Sequence, residues 1–167
     1  MIQTRFLKIG PDRSPFLEAG LQVSSPSFHA QIEVGEDGIS RGVPHVNNAE
    51  YVRWIDRLAE MATDDAGFTR QSLLANNRMW FVARHEIDYR GEAFLGDRLL
   101  AATWIESWTR TTAHRATAVI DATTLRLICV ASTRWAYVNL VSRRPTRIPD
   151  EVRNILPAVP GEEESQG

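Results

Sequence analysis

One long capped helix followed by a sustained change of period most limits what this chain can fold into. Asn47 is a helix N-cap residue type, and Glu50 three positions on completes a capping-box pattern. Val46 before the cap and Tyr51 after it can close a hydrophobic staple. Tyr51, Ile55, Leu58, Ala59 and Ala62 then recur on one face, which Val52 and Trp54 widen, so the helix is covered on more than one side. Gly67 is its natural stop. From Met79 the period becomes two. Met79, Phe81, Ala83, Ile87 and Tyr89 fall on one side, with Arg84, Glu86 and Asp88 on the other. Two further runs, Arg98 to Trp108 and Thr112 to Asp121, are separated by turns. A last strand alternates through Leu125, Leu127, Cys129, Ala131, Thr133, Trp135 and Tyr137.

Before the helix, Phe28 to Val34 alternates as a half-buried strand, with His29, Gln31 and Glu33 on its polar side. A Gly- and Pro-containing loop, Gly35 to Pro44, leads from it to the cap. Thr69 to Ala75 reads as a short second helix, and Ile148 to Val152 as a terminal helical turn. Strands and helices do not alternate, so the class is α+β, an antiparallel meander with the long helix packed on it. Residues 1–27 read as an extension containing a short strand at Arg5–Ile9, residues 28–156 as the domain, and residues 157–167 as a disordered acidic tail.

The helix start carries chemistry beyond its cap. The Asn47 side chain takes one backbone N–H of the first turn. The N–H of Asn48, the first helical residue, is left free at the positive end of the helix dipole, where a carbonyl oxygen or small anion is welcome. Composition narrows the partners. A net charge of −2 without a clustered basic excess gives no nucleic-acid footprint. One cysteine, Cys129, allows no intramolecular disulfide and fits a reducing, cytoplasmic setting; its place on an alternating apolar face reads as packing. No apolar run has the length of a membrane span, and the first ten residues lack a secretory-signal pattern.

The ordered set His45-Val46-Asn47-Asn48-Ala49-Glu50-Tyr51, Glu86-Ile87-Asp88-Tyr89-Arg90, Leu95-Gly96-Asp97, Thr111-Thr112 and Arg143-Arg144-Pro145-Thr146-Arg147-Ile148-Pro149 resembles the hotdog-fold thioesterases of the 4-hydroxybenzoyl-CoA and acyl-ACP type. The resemblance runs from about Phe28 to Val152. It implies an antiparallel sheet wrapped around one central helix, a homodimer joined sheet edge to sheet edge, and an active site at the dimer interface. It implies an acyl-CoA or acyl-carrier-protein substrate and no metal or redox cofactor. The carbonyl-polarising amide of such enzymes maps onto the Asn48 N–H, the donor already left over by the capping argument.

One position departs from the pattern. The residue four before His45, which usually supplies an Asp, is Arg41, and a guanidinium does not act as a base near neutral pH. Asp37, from the loop bordering the expected pocket, is the first substitute carboxylate; Glu36, Asp56 and Glu60 are others. His45 is a candidate general base, with Asn47 and a held water beside it. Arg41 is a candidate contact for a substrate phosphate, Tyr51 a pocket wall, and Thr112 a substrate contact. Trp54 and Trp80, among five tryptophans, suit a roomy apolar pocket or an aromatic core equally. The expected function is thioester hydrolysis; the alternative is an acyl-thioester-binding protein without turnover.

Overall fold

The computed structural model describes residues 1–158, so all but Pro157 and Ala158 of the expected tail lie outside the described residues. The elements run β1 (Arg5–Ile9), α1 (Ser14–Glu18), β2 (Phe28–Glu33), α2 (Asn48–Asp65), α3 (Arg70–Ala75), β3 (Arg78–Tyr89), β4 (Arg98–Trp108), β5 (Thr112–Asp121), β6 (Leu127–Asn139), β7 (Arg144–Pro145) and α4 (Asp150–Ile155). A 3-10 turn at Glu36–Gly38 precedes α2. One antiparallel sheet takes the order β1-β2-β4-β5-β6-β3, with β7 on β6. The expected meander holds for β4, β5 and β6. The strand before them, β3, crosses the sheet to pair with β6 over most of its length.

The α2 helix lies in the concavity of this sheet. Tyr51, Trp54 and Leu58 meet Ala30 and Ile32 of β2, Leu99 and Ala101 of β4, Val119 of β5, and Ile128 and Cys129 of β6 in one buried cluster. Val46 and Tyr51 share that cluster, as a staple requires. The cap forms as the sequence suggests: Asn47 is extended at φ −64° and ψ 141°, and its side chain accepts from the Ala49 N–H at 2.9 Å. The reciprocal half of the capping box does not form. The Asn47 N–H donates to the Gly38 carbonyl at 2.8 Å, and the Glu50 carboxylate pairs with Arg53 instead. Asn47→Ala is expected to lower unfolding free energy by roughly 0.5–2 kcal/mol, read as a shifted denaturant midpoint with an unchanged slope.

Two details of the strands differ from the alternating pattern. His29 is buried, at 1% exposure, on the sheet face away from α2. The reason is α1, which covers that face: Phe16 meets the His29 ring edge-on at 5.5 Å, and Phe16, Val23, Trp104 and Ile120 form a second cluster there. Burial pulls the His29 imidazole below its ordinary pKa, with Arg13 adding to the shift and Asp12 opposing it. In β3 the register slips between Val82 and Arg84. Trp80 and Val82 pair with Tyr137 and Trp135, while Ile87 and Tyr89 pair with Ala131 and Cys129. The slip therefore places Trp80 and Val82 on the same sheet face as Ile87 and Tyr89, and takes Met79 and Phe81 off it.

Candidate active site

The start of α2 is held by two loops. The first, between the 3-10 turn and the cap, closes on itself: Ile39 bridges Val46, and the Ser40 N–H donates to the His45 carbonyl at 2.8 Å. Gly42, at φ +80°, makes the tight reversal at its tip, and Arg41 projects beside it, exposed. The second loop joins β3 to β4. The Arg90 and Gly91 N–H groups both donate to the Ile128 carbonyl, at 2.8 and 3.0 Å, and the Val46 N–H donates to the Ala93 carbonyl at 2.8 Å. Gly91 is required by this close approach, because a Cβ there would sit 2.7 Å from the Leu127 carbonyl oxygen. The Arg126 guanidinium donates to the Glu92 carbonyl at 2.6 Å and fixes the loop against β6.

This stitching brings His45 to Glu92. The His45 Nδ1 lies 2.9 Å from a Glu92 carboxylate oxygen, although the two residues are 47 positions apart in sequence. His45 is half-buried and the Glu92 side chain is exposed. A carboxylate on Nδ1 fixes the imidazole ring and leaves Nε2 as the nitrogen able to take a proton. Three residues further on, the Asn48 N–H meets no acceptor among the described residues. The Asn48 carbonyl accepts from the Tyr89 hydroxyl at 3.1 Å, which ties the first helical turn to the end of β3. Tyr51 stands below it, 3% exposed, with ring centroids 4.9 Å from Trp54 and 5.3 Å from Tyr89. Burial pushes the Tyr51 hydroxyl up to about 12, so it is a wall and not an acid at neutral pH.

The remaining sequence candidates divide by position. Asp37 is next to the cap in space but turned toward the N-terminal segment. Its Oδ1 accepts from the Thr4 N–H at 2.9 Å and the Thr4 hydroxyl at 2.6 Å. Burial raises the Asp37 carboxyl, but the Thr4 hydrogen bonds and the Arg53 charge outweigh it and leave the pKa below the ordinary Asp value. That makes Asp37 a weak base. Asp56 lies along α2, 3.8 Å from His85 Nε2, and Glu60 pairs with Arg57. Glu36 accepts from the Ile2 N–H at 3.0 Å. Thr112 begins β5, where its hydroxyl is 2.7 Å from that of Thr109. The core around Tyr51 meets β5 at Val119, seven residues or roughly 23 Å of strand away, so one chain does not unite Thr112 with Asn48. Cys129 is 1% exposed, and burial pushes its thiol up to about 12, which leaves it a packing residue. Glu92 had no local signal: it stands in an Arg-Gly-Glu turn whose proximity to His45 arises only through the sheet.

Comparison with known proteins gives a consistent picture. A family model described as the thioesterase-like superfamily matches residues 43–156. A chloroplastic palmitoyl-acyl carrier protein thioesterase of Cuphea hookeriana is 28% identical over 98 residues, covering 59% of this chain and 23% of that protein. The chain thus spans a minor part of that curated relative. Among solved structures, a 1,4-dihydroxy-2-naphthoyl-CoA thioesterase from Synechocystis superposes with a TM-score of 0.72 at 17% identity, over 78% of this chain and 95% of that one. An acyl-ACP thioesterase from Bacteroides thetaiotaomicron gives a TM-score of 0.68 at 21% identity, over 84% and 58% of the respective chains. The architecture is the hotdog fold expected from the sequence.

Proposed function

The chain belongs to the thioesterase-like superfamily, and from that premise we propose that it hydrolyses an acyl thioester carried on coenzyme A or on an acyl carrier protein. The observation that carries the reading is the Asn48 N–H, unpartnered among the described residues at the head of an 18-residue helix. A thioester carbonyl placed on that donor gains most when its oxygen becomes an anion, because the N–H is already oriented and needs no reorganisation. We place the attacking water near His45. Its Nε2 takes the proton as the water oxygen bonds to the carbonyl carbon, and Glu92 on Nδ1 stabilises the imidazolium that results. Collapse of the tetrahedral intermediate breaks the C–S bond, and the imidazolium returns the proton to the departing thiolate. Asn47 orders the first turn, Tyr51 supports it from below, and Arg41 at the loop tip offers its charge to a phosphate of the carrier. Glu92, and not Asp37, is the carboxylate of this scheme.

Arg41, where a carboxylate is usual, favours a second reading in which the site binds acyl thioesters without turning them over. Purified protein assayed for thiol release on a panel of acyl-CoAs and acyl carrier proteins, with binding measured in parallel, separates the two. Thiol release supports hydrolysis. Saturable binding without release supports the second reading.

The supporting case for a homodimer is the free side of β3. This 12-residue strand ends the sheet order and exposes Phe81, Val82 and Tyr89. An unpaired edge of that length is a template for a second copy. Sedimentation at micromolar concentration should give twice the chain mass; monomer alone would count against the pairing. Among the described residues no helix is long and apolar enough to cross a membrane.

A further inference from the structure

A cavity of about 510 Å³ opens between the sheet and the face of α2 that follows the first turns. Trp80, Trp108, Trp135, Ile105 and Leu73 give it apolar walls, and Arg115 forms part of its inner lining. Arg115 is 4% exposed. Its only side-chain partner among the described residues is the Thr103 hydroxyl, at 3.3 Å. No carboxylate among the described residues lies within salt-bridge distance of it: the two that line the cavity, Asp56 and Glu60, face His85 and Arg57. Burial lowers the Arg115 pKa to about 10, which still leaves it charged at neutral pH. A second donor is unused in the same wall, since the buried Trp135 Nε1–H has no hydrogen-bond partner among the described residues. Buried cations and buried N–H groups are normally matched. Here a cation and a neutral donor border one apolar space, and no anion among the described residues receives them.

We propose that this cavity binds the carboxylate of an apolar carboxylic acid, with the carboxylate on Arg115 and the Trp135 indole N–H and the hydrocarbon against the tryptophan walls. Guanidinium and indole N–H both donate, so a carboxylate satisfies them together, and the low polarity around them strengthens the pair. A neutral amide of the same shape supplies one weaker acceptor and carries no charge. The carboxylate has two sources, a free acid or the far end of an acyl group that is a thioester at its other end. The first is independent of the proposed hydrolysis.

The binding test uses the whole protein and follows tryptophan fluorescence and heat on titration with octanoate and 3-phenylpropionate, each against its primary amide. The acids should bind at least tenfold more tightly than the amides. Arg115→Met should reduce the acids to the level of the amides, and Trp135→Phe should weaken acid binding several-fold while retaining the wall. Arg115→Met should also raise the melting temperature, because it removes a buried charge without a counter-ion. Equal binding of acid and amide by the wild-type protein, or no binding of either, overturns the proposal, and so does an unchanged preference in folded Arg115→Met. If that variant does not fold, the wild-type preference and Trp135→Phe decide. Hydrolysis of adipoyl-CoA against hexanoyl-CoA separates the sources. Faster release from adipoyl-CoA, lost in Arg115→Met, assigns the carboxylate to the acyl group; equal release with the acid preference intact assigns it to a free acid.

Discussion

Replacing Asn48 by proline is expected to lower kcat by about 10²–10³-fold, the cost of losing one oxyanion donor, with little loss of stability. Few positions allow a backbone N–H to be deleted so cleanly. Asn48 is the first residue of α2, the helical position that tolerates proline because its N–H has no intrahelical acceptor. Proline constrains the residue before it to extended backbone, and Asn47 already has φ −64° and ψ 141°. The cap uses the Ala49 N–H, so it survives, and so does the Asn48 carbonyl that accepts from Tyr89. Asn48→Ala is the control: it loses the side chain and keeps the N–H, and should turn over near the wild-type rate. Measured kcat, KM and melting temperature of both variants decide the matter. Full activity in a folded Asn48→Pro protein would remove the helix start from the mechanism.

His45→Ala is expected to lower kcat by about 10²–10⁴-fold, the usual worth of a positioned general base. Glu92→Gln should cost less, because the imidazole remains and only the charge that stabilises its protonated form is lost. Both side chains have solvent contact, so neither change should greatly affect folding. Asp37→Asn provides the contrast. Asp37 binds Thr4, so its substitution should loosen the N-terminal segment and leave kcat nearly unchanged. The Asp37 pKa is lowered on folding, so its contribution to stability is fully present above the ordinary Asp pKa. It is lost as the pH falls through the lower folded-state value. Wild-type turnover in His45→Ala and Glu92→Gln, with a loss in Asp37→Asn, would move the base to Asp37.

The features legible in the sequence are those set by near neighbours. Asn47, two residues from the N–H it caps, and the apolar faces of α2 and the strands follow from residues a few positions apart. Other features depend on distant parts of the chain. Nothing in residues 78–89 says that they pair with β6 in preference to the adjacent β4. His29 looks solvent-facing until α1 returns over it. The slip after Val82 shifts half a strand by one position, which reverses the faces of Met79 and Trp80 without any marking glycine or proline. Glu92 is beside His45 because two loops are tied to one helix end, and local pattern is silent about such ties. Arg115 is similar: an arginine in a strand reads as an outward residue, and only the placement of α2 over that face reveals it as enclosed.

The two ends of the sheet order are unlike each other, and that asymmetry bears on how large an assembly can grow. β1 has five residues against twelve in β3, and it carries Arg5 and Lys8, which reach across to Glu33 and Asp65. Ahead of it, the backbone of Ile2 to Thr4 continues the same edge beside Gly35, where a Cβ would meet it, and the Ile2 carbonyl accepts from the Glu36 N–H at 2.7 Å. A chain with two long open edges could add copies without limit. With one edge short and charged and the other long and open, the proposed pairing through β3 would use up the one long template among the described residues, and growth would terminate at two copies. The short β1 edge would then be the stop that keeps a self-pairing sheet finite.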